Sequence, residues 1–207
     1  MLYDYLLENF KTNTLIFLNE IKYAASDDAI RQQMKMLVDQ GRIRRYVSGA
    51  YYIPETLYGV ELTPSINDYI SKKFLLDGDG DVIGYIGGLK LVNEARLTTQ
   101  FAGNKYTIYT NKATTGMKTI KVKEFTLTIK KPICPITNEN YLALKFLTML
   151  LDSELYAEVK GQEYISAVKS YRDRQGLDED AIMTNAALYP DKIYSLLYNG
   201  GLLKYVG

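Results

Sequence analysis

The sequence predicts an α+β protein, with an N-terminal winged helix-turn-helix over residues 1–55 and a larger C-terminal α/β domain over residues 56–207. Three observations carry this prediction. Helically spaced apolar residues fill the first forty positions, a short cationic hairpin signal (RIRRYVSGAYYIP) follows, and period-two alternation marks KYTIYTN and TIKVKEFTLTIKK before helical spacing returns. At 207 residues and 47% hydrophobic, the chain is long and apolar enough to bury a core in one or two domains.

The elements follow in order. Leu2, Tyr3, Leu6, Leu7 and Phe10 predict a first helix, and Leu15, Ile16, Leu18 and Ile21 a second within residues 14–23. Ser26 is the predicted N-cap of a third helix that runs to Gln40, with Asp27 and Asp28 in its first turn and Gly41 as its stop. Ile30, Met34 and Leu37 share one face of that helix, with Val38 at its edge. Asp28, Arg31, Gln32, Lys35 and Asp39 then point away from the core. Two strands, 43–47 and 50–53, join at Ser48-Gly49. Residues 57–62 read as a connector or edge strand. Thr63 and Pro64 open a helical stretch spanning 63–97, with Ile66, Tyr69, Ile70 and Phe74 inward and a further helix over 83–97. The β region covers 105–131, with a register shift near Lys123-Glu124 that requires a bulge or a turn. Asn138 then caps a helical region, 138–204, broken at Gly176, Pro190 and Gly200-Gly201.

Composition removes whole classes of chemistry. There is no histidine and a single cysteine, Cys134, so a Ser-His-Asp triad, a His base, a Cys/His zinc cluster and an intramolecular disulfide are all excluded. The thiol between Pro132 and Pro135 reads as a small hydrophobe. Asp77, Asp79 and Asp81 in LDGDGD imitate the first ligands of a calcium loop, but Val82 stands where that loop needs Gly and Gly88 where it needs Glu. They read as a polar turn. Gly78, Gly80 and Gly84 do not spell GxGxxG, so neither a metal nor a nucleotide cofactor is expected. No apolar run is long enough for a membrane span and no cleavable leader is apparent, so the expected compartment is the cytoplasm.

A formal charge of +1 is uninformative until it is located along the chain. Residues 1–53 carry +1, 54–104 carry −3, 105–131 carry +6 and 132–207 carry −3. A helix fits the major groove of DNA, and a cationic hairpin reaches neighbouring phosphates. On that logic Arg31, Gln32 and Lys35 suit base edges and phosphates, while Arg42, Arg44 and Arg45 suit phosphates. Lys118, Lys121, Lys123, Lys130 and Lys131 define a second basic surface. Its alternative is a solvated sheet face with edge-protecting lysines.

The winged helix ending in DQGRIRRYVSGAYYIP, followed by GYIGGLKLVNEARLTTQFAGNKYTIYTN, resembles the AbiEi-like antitoxins. These are the regulator half of AbiE type IV toxin–antitoxin systems, linked to abortive infection and phage defence. The resemblance implies a non-enzymatic transcriptional repressor that binds inverted repeats in its own promoter as double-stranded DNA, with a homodimer on the operator. It also implies a functional partner, a nucleotidyltransferase-like toxin, countered without a stable complex. It supports Arg31, Gln32, Lys35, Arg42, Arg44 and Arg45 as DNA contacts, and Ser26 as a helix-start hydroxyl near a phosphate. The alternative is a protein-interaction module whose winged-helix scaffold binds a partner directly.

Overall fold

The computed structural model describes residues 1–203 as a mixed α and β protein. Lys204, the last residue of the expected helical region, lies outside the described residues. The chain divides into two compact units, Met1–Lys72 and Lys73–Gly207.

In the first unit, α1 (Leu2–Asn9) buries Leu2 and Leu6, one turn apart, and is followed by a two-residue strand β1 (Ile16–Phe17) and a 3-10 turn, Leu18–Glu20. The helix expected over 14–23 is therefore corrected. Ile16 pairs with Tyr51 and Phe17 with Ala50, so strand addition overrides the helical spacing of the same apolar residues. Helix α2 (Asp27–Asp39) begins at Ser26, whose hydroxyl accepts from the Ala29 N–H, and buries Ile30, Met34 and Leu37. It stops where Gly41 takes φ +71°, which lets the Gly41 and Arg42 amides cap the carbonyls of Val38 and Leu37. Strands β2 (Arg44–Val47) and β3 (Ala50–Tyr52) form the expected hairpin, and the sheet order is β1-β3-β2, all antiparallel.

One face of this sheet packs Ile16, Tyr51 and Ile53 with α1 and α2. On the other, Phe17 and Tyr46 hold Tyr69 of a short helix α3 (Ile66–Ile70) at 5.8 and 5.6 Å between ring centroids. A second hairpin, β4 (Glu55–Leu57) with β5 (Val60–Leu62), precedes α3. These contacts move the boundary from residue 55 to Lys72. The helix expected to open at Thr63 opens at Ser65, which forms a capping box with Asp68.

The second unit corrects the helical reading of 63–97. Helical structure continues from α3 through a π-helical turn, Ser71–Leu75, but residues 84–87 form a strand, β6 (Gly84–Gly87), and of the helix expected over 83–97 Leu89–Glu94 is helical, as α4. Strands β7 (Lys105–Thr110), β8 (Met117–Val122) and β9 (Phe125–Lys130) complete a sheet of order β6-β7-β9-β8, in which β7 and β9 are parallel. The register shift at Lys123-Glu124 is a two-residue turn, with Lys123 at φ +53°. Helix α5 (Tyr141–Tyr156) is the unit's centre. Its N-cap position is Asn140 rather than Asn138, without a side-chain cap, and it buries Leu144 beside Tyr85 and Phe146, Leu147 and Leu150 against α4 and the later helices. These are α6 (Gly161–Arg174), α7 (Glu179–Ala186) and α8 (Lys192–Asn199). Among the described residues no helix is long and apolar enough to cross a membrane.

Candidate nucleic-acid interface

Helix α2 presents its polar side as the sequence requires. With Ile30, Met34 and Leu37 committed to the core, Asp28, Arg31, Gln32, Lys35 and Asp39 are exposed along the opposite side. Arg31 is held by Asp28 one turn earlier, at 3.0 Å. Ser26 is occupied as the N-cap at 3.3 Å, so its hydroxyl already has a structural use.

The three arginines of the hairpin do not converge. Arg44 is tied down at the surface: its Nε donates to both carboxylate oxygens of Glu61 at 3.0 and 3.1 Å, Nη2 to Glu61 at 2.8 Å, and Nη1 to the Gly41 carbonyl at 2.8 Å. Arg42 lies over the Tyr3 ring at 5.1 Å, which ties it to α1. Arg45 alternates to the other face from Arg44, pairs in register with Tyr51 and is exposed. Lys35 and Arg45 thus stand as exposed cations with no ion pair among the described residues.

The five lysines of the second basic surface are also separated. Lys118 shares a sheet face with Ile120 and Val122, and Lys121 takes the opposite face. Lys123 sits in the turn, and Lys131 follows the end of β9. Lys130 packs over Tyr109, with its ammonium 5.4 Å from the ring centroid and 3.4 Å from the hydroxyl.

Beneath that sheet lies a buried polar cluster that sequence reasoning missed. The Tyr85 and Thr148 hydroxyls are 2.9 Å apart, Tyr189 reaches Thr148 and the Leu144 carbonyl, and Tyr85 stacks on Tyr109 at 5.3 Å. Burial pushes the Tyr85, Tyr109 and Tyr189 phenols well up, so they are neutral donors. Asp152 on α5 accepts from the Gly88 N–H at 2.6 Å, and burial raises its carboxyl against that bond. A single Asp within an apolar run was its only signal in the sequence.

Asp77 accepts from the amides of Asp79 and Asp81, and Asp81 accepts from Asn138, so these two carboxylates hold the loop's own turn and its contact with Asn138. Burial pushes the Cys134 thiol up, away from the thiolate a nucleophile needs. No protein family, characterised protein or solved structure matches this chain.

Proposed function

We propose that the chain is a double-stranded DNA-binding transcriptional repressor, with Met1–Lys72 as a winged helix-turn-helix. The observation that carries this reading is the order α1-β1-α2-β2-β3, closed by a β1-β3-β2 sheet. The order matches a winged helix whose middle helix is reduced to a 3-10 turn, and α2 leaves Arg31, Gln32 and Lys35 exposed just before the hairpin. In this reading Gln32 and Lys35 face base edges, Arg31 is pre-oriented by Asp28, and Arg45 of the wing contacts a phosphate. A module of this size buries too little surface for high specificity alone, so two copies on an inverted repeat are expected.

Gel shift of the full chain on the duplex upstream of its own reading frame tests the proposal. Lys35→Ala with Arg45→Ala should abolish the specific shift. Binding with no preference over unrelated duplex, or unchanged in the double variant, overturns it.

The antitoxin role rests on the resemblance at GRIRR…GAYYIP and GYIGGLKLVNEARLTTQ…YTN, and assigns the chain no catalysis of its own. It predicts rescue of cells from a neighbouring nucleotidyltransferase-like toxin without a complex that survives size exclusion. Direct partner binding is the second reading, favoured by the β4–β5 hairpin with its exposed Leu57, Tyr58 and Val60. A stoichiometric complex in that experiment would replace the first reading with the second.

A further inference from the structure

We propose that the second unit carries a single-stranded nucleic-acid site on the part of one sheet face that α5, packed over β6, leaves exposed, with Phe101 as a base platform and Lys105 and Lys121 as phosphate contacts. The site is independent of the duplex-binding reading, because every residue in it belongs to Lys73–Gly207.

The register places the residues. Lys105 pairs with Thr126 and Thr126 with Lys121, so these three form a row across β7, β9 and β8 on one face. Thr107, Thr128 and Thr119 form the next row, and Tyr109, Lys130 and Met117 the third. On the opposite face Ile108, Leu127 and Val122 are buried, whereas the first two of these rows are exposed or half-buried. The first two rows hold two lysines and four threonines, whereas the third runs under α5, where Tyr109 stacks on Tyr85 and the Asp152 carboxylate attracts Lys130. Lys105 and Lys121 stand two strand spacings apart, roughly 10 Å, and threonine hydroxyls between them can donate to phosphate or sugar oxygens.

The platform adjoins the first row. Phe101 is 93% exposed, and the Ala102 carbonyl next to it accepts from the Lys105 N–H at 3.4 Å. Its loop is held firmly. Glu158 accepts from the Thr98 hydroxyl and from both the amide and the hydroxyl of Thr99, at 2.9, 2.7 and 3.1 Å. Asn93 donates to the Gln100 carbonyl at 2.8 Å, and the Lys90 ammonium to the Gly103 carbonyl at 3.3 Å. The loop is therefore ordered before binding and presents an apolar ring four residues before the exposed Lys105, while the Lys90 ammonium is committed to the Gly103 carbonyl and to the Tyr106 ring at 4.1 Å. That pairing of ring and cations suits an anionic ligand with aromatic faces. Only an unpaired base offers its face for stacking, which selects single strands over duplex.

Fluorescence anisotropy of the full chain with labelled twelve-nucleotide single strands, one RNA and one DNA, tests this; a duplex of the same sequence is the competitor. Both strands should bind, and a tighter RNA would mark use of the 2′-hydroxyl. Phe101→Ala should weaken binding about 5- to 150-fold. Lys121→Ala should reduce the slope of log affinity against log salt by about 0.7. Lys118→Ala on the opposite face, and Lys35→Ala on α2, should change neither. Absence of single-strand binding at 50 mM salt, binding unaffected by Phe101→Ala, or competition by duplex as strong as by single strand would each overturn the proposal.

Discussion

Replacing Arg44 and Arg45 one at a time separates an arginine with a structural partner from the one proposed to contact DNA. Arg44 forks onto Glu61 through three hydrogen bonds of 2.8 to 3.1 Å and adds a fourth to the Gly41 carbonyl. The two side chains are 40% and 35% exposed, so water screens the pair and the Coulomb attraction must be discounted. Exposed pairs are worth about 0.2–1 kcal/mol, and forked geometry places this one near the top of that range, about 1 kcal/mol. For a unit of this size, Arg44→Ala should lower the transition temperature by about 4–8 °C. It should also speed hydrogen exchange of the β2 and β3 amides about fivefold, with duplex affinity nearly unchanged below the transition. Arg45→Ala should leave calorimetry and exchange alone but weaken duplex binding and lower its salt slope by about 0.9, the signature of one lost phosphate. The assays are scanning calorimetry, exchange and a salt titration of both variants. If Arg44→Ala removes the salt-dependent contact and leaves stability untouched, Glu61 is not its working partner and this account of the wing fails.

Two further substitutions probe the second unit. Gly88 sits at φ +68° and ψ −156°, and an added Cβ would lie 2.7 and 3.0 Å from Oγ1 and Cβ of Thr107, so Gly88→Ala should cost about 2–4 kcal/mol in urea unfolding. A loss within 0.5 kcal/mol would mean the turn relaxes freely. Asp152 has its carboxyl raised by burial, so the folded state holds that proton more tightly than the unfolded chain. Stability should therefore fall as pH rises from the ordinary carboxylate range through the raised value. Asp152→Asn should flatten that slope and be at least as stable at pH 7, and a marked loss there would show that the charged form is the one the fold uses.

Local signals were strongest where one helix face or one turn decides the structure. Ser26, the Ile30–Met34–Leu37 stripe and Gly41 determine α2 without outside help, and α2 lies where the sequence puts it. Residues 14–23 and 83–97 misled because their partners are distant. Ile16 and Phe17 become a strand only through Tyr51 and Ala50, and Gly84–Gly87 only through β7. The glycines were the clue in the second case, since a Cβ on Gly87 would come within 2.7 Å of the Tyr109 ring, a closeness that marks strand packing. Arg44 looked identical to Arg45 in the sequence because Glu61, seventeen residues on, is what distinguishes them.

Where the cations stand, more than the net charge of +1, decides whether a polyanion is attracted. Glu20, Asp28 and Glu61 in the first unit each hold a cation, Lys72, Arg31 and Arg44. Glu94, Glu154 and Asp173 in the second unit likewise hold Lys145, Lys192 and Arg172. Each of these pairs cancels its own field at short range, removing one charge of each sign. Lys35 and Arg45 in one unit, and Lys105 and Lys121 in the other, have no such partner among the described residues. Close to the surface, an approaching phosphate meets the local field of such unpaired cations, so Lys35 on α2 and Lys105 and Lys121 on one sheet face matter there more than the total does.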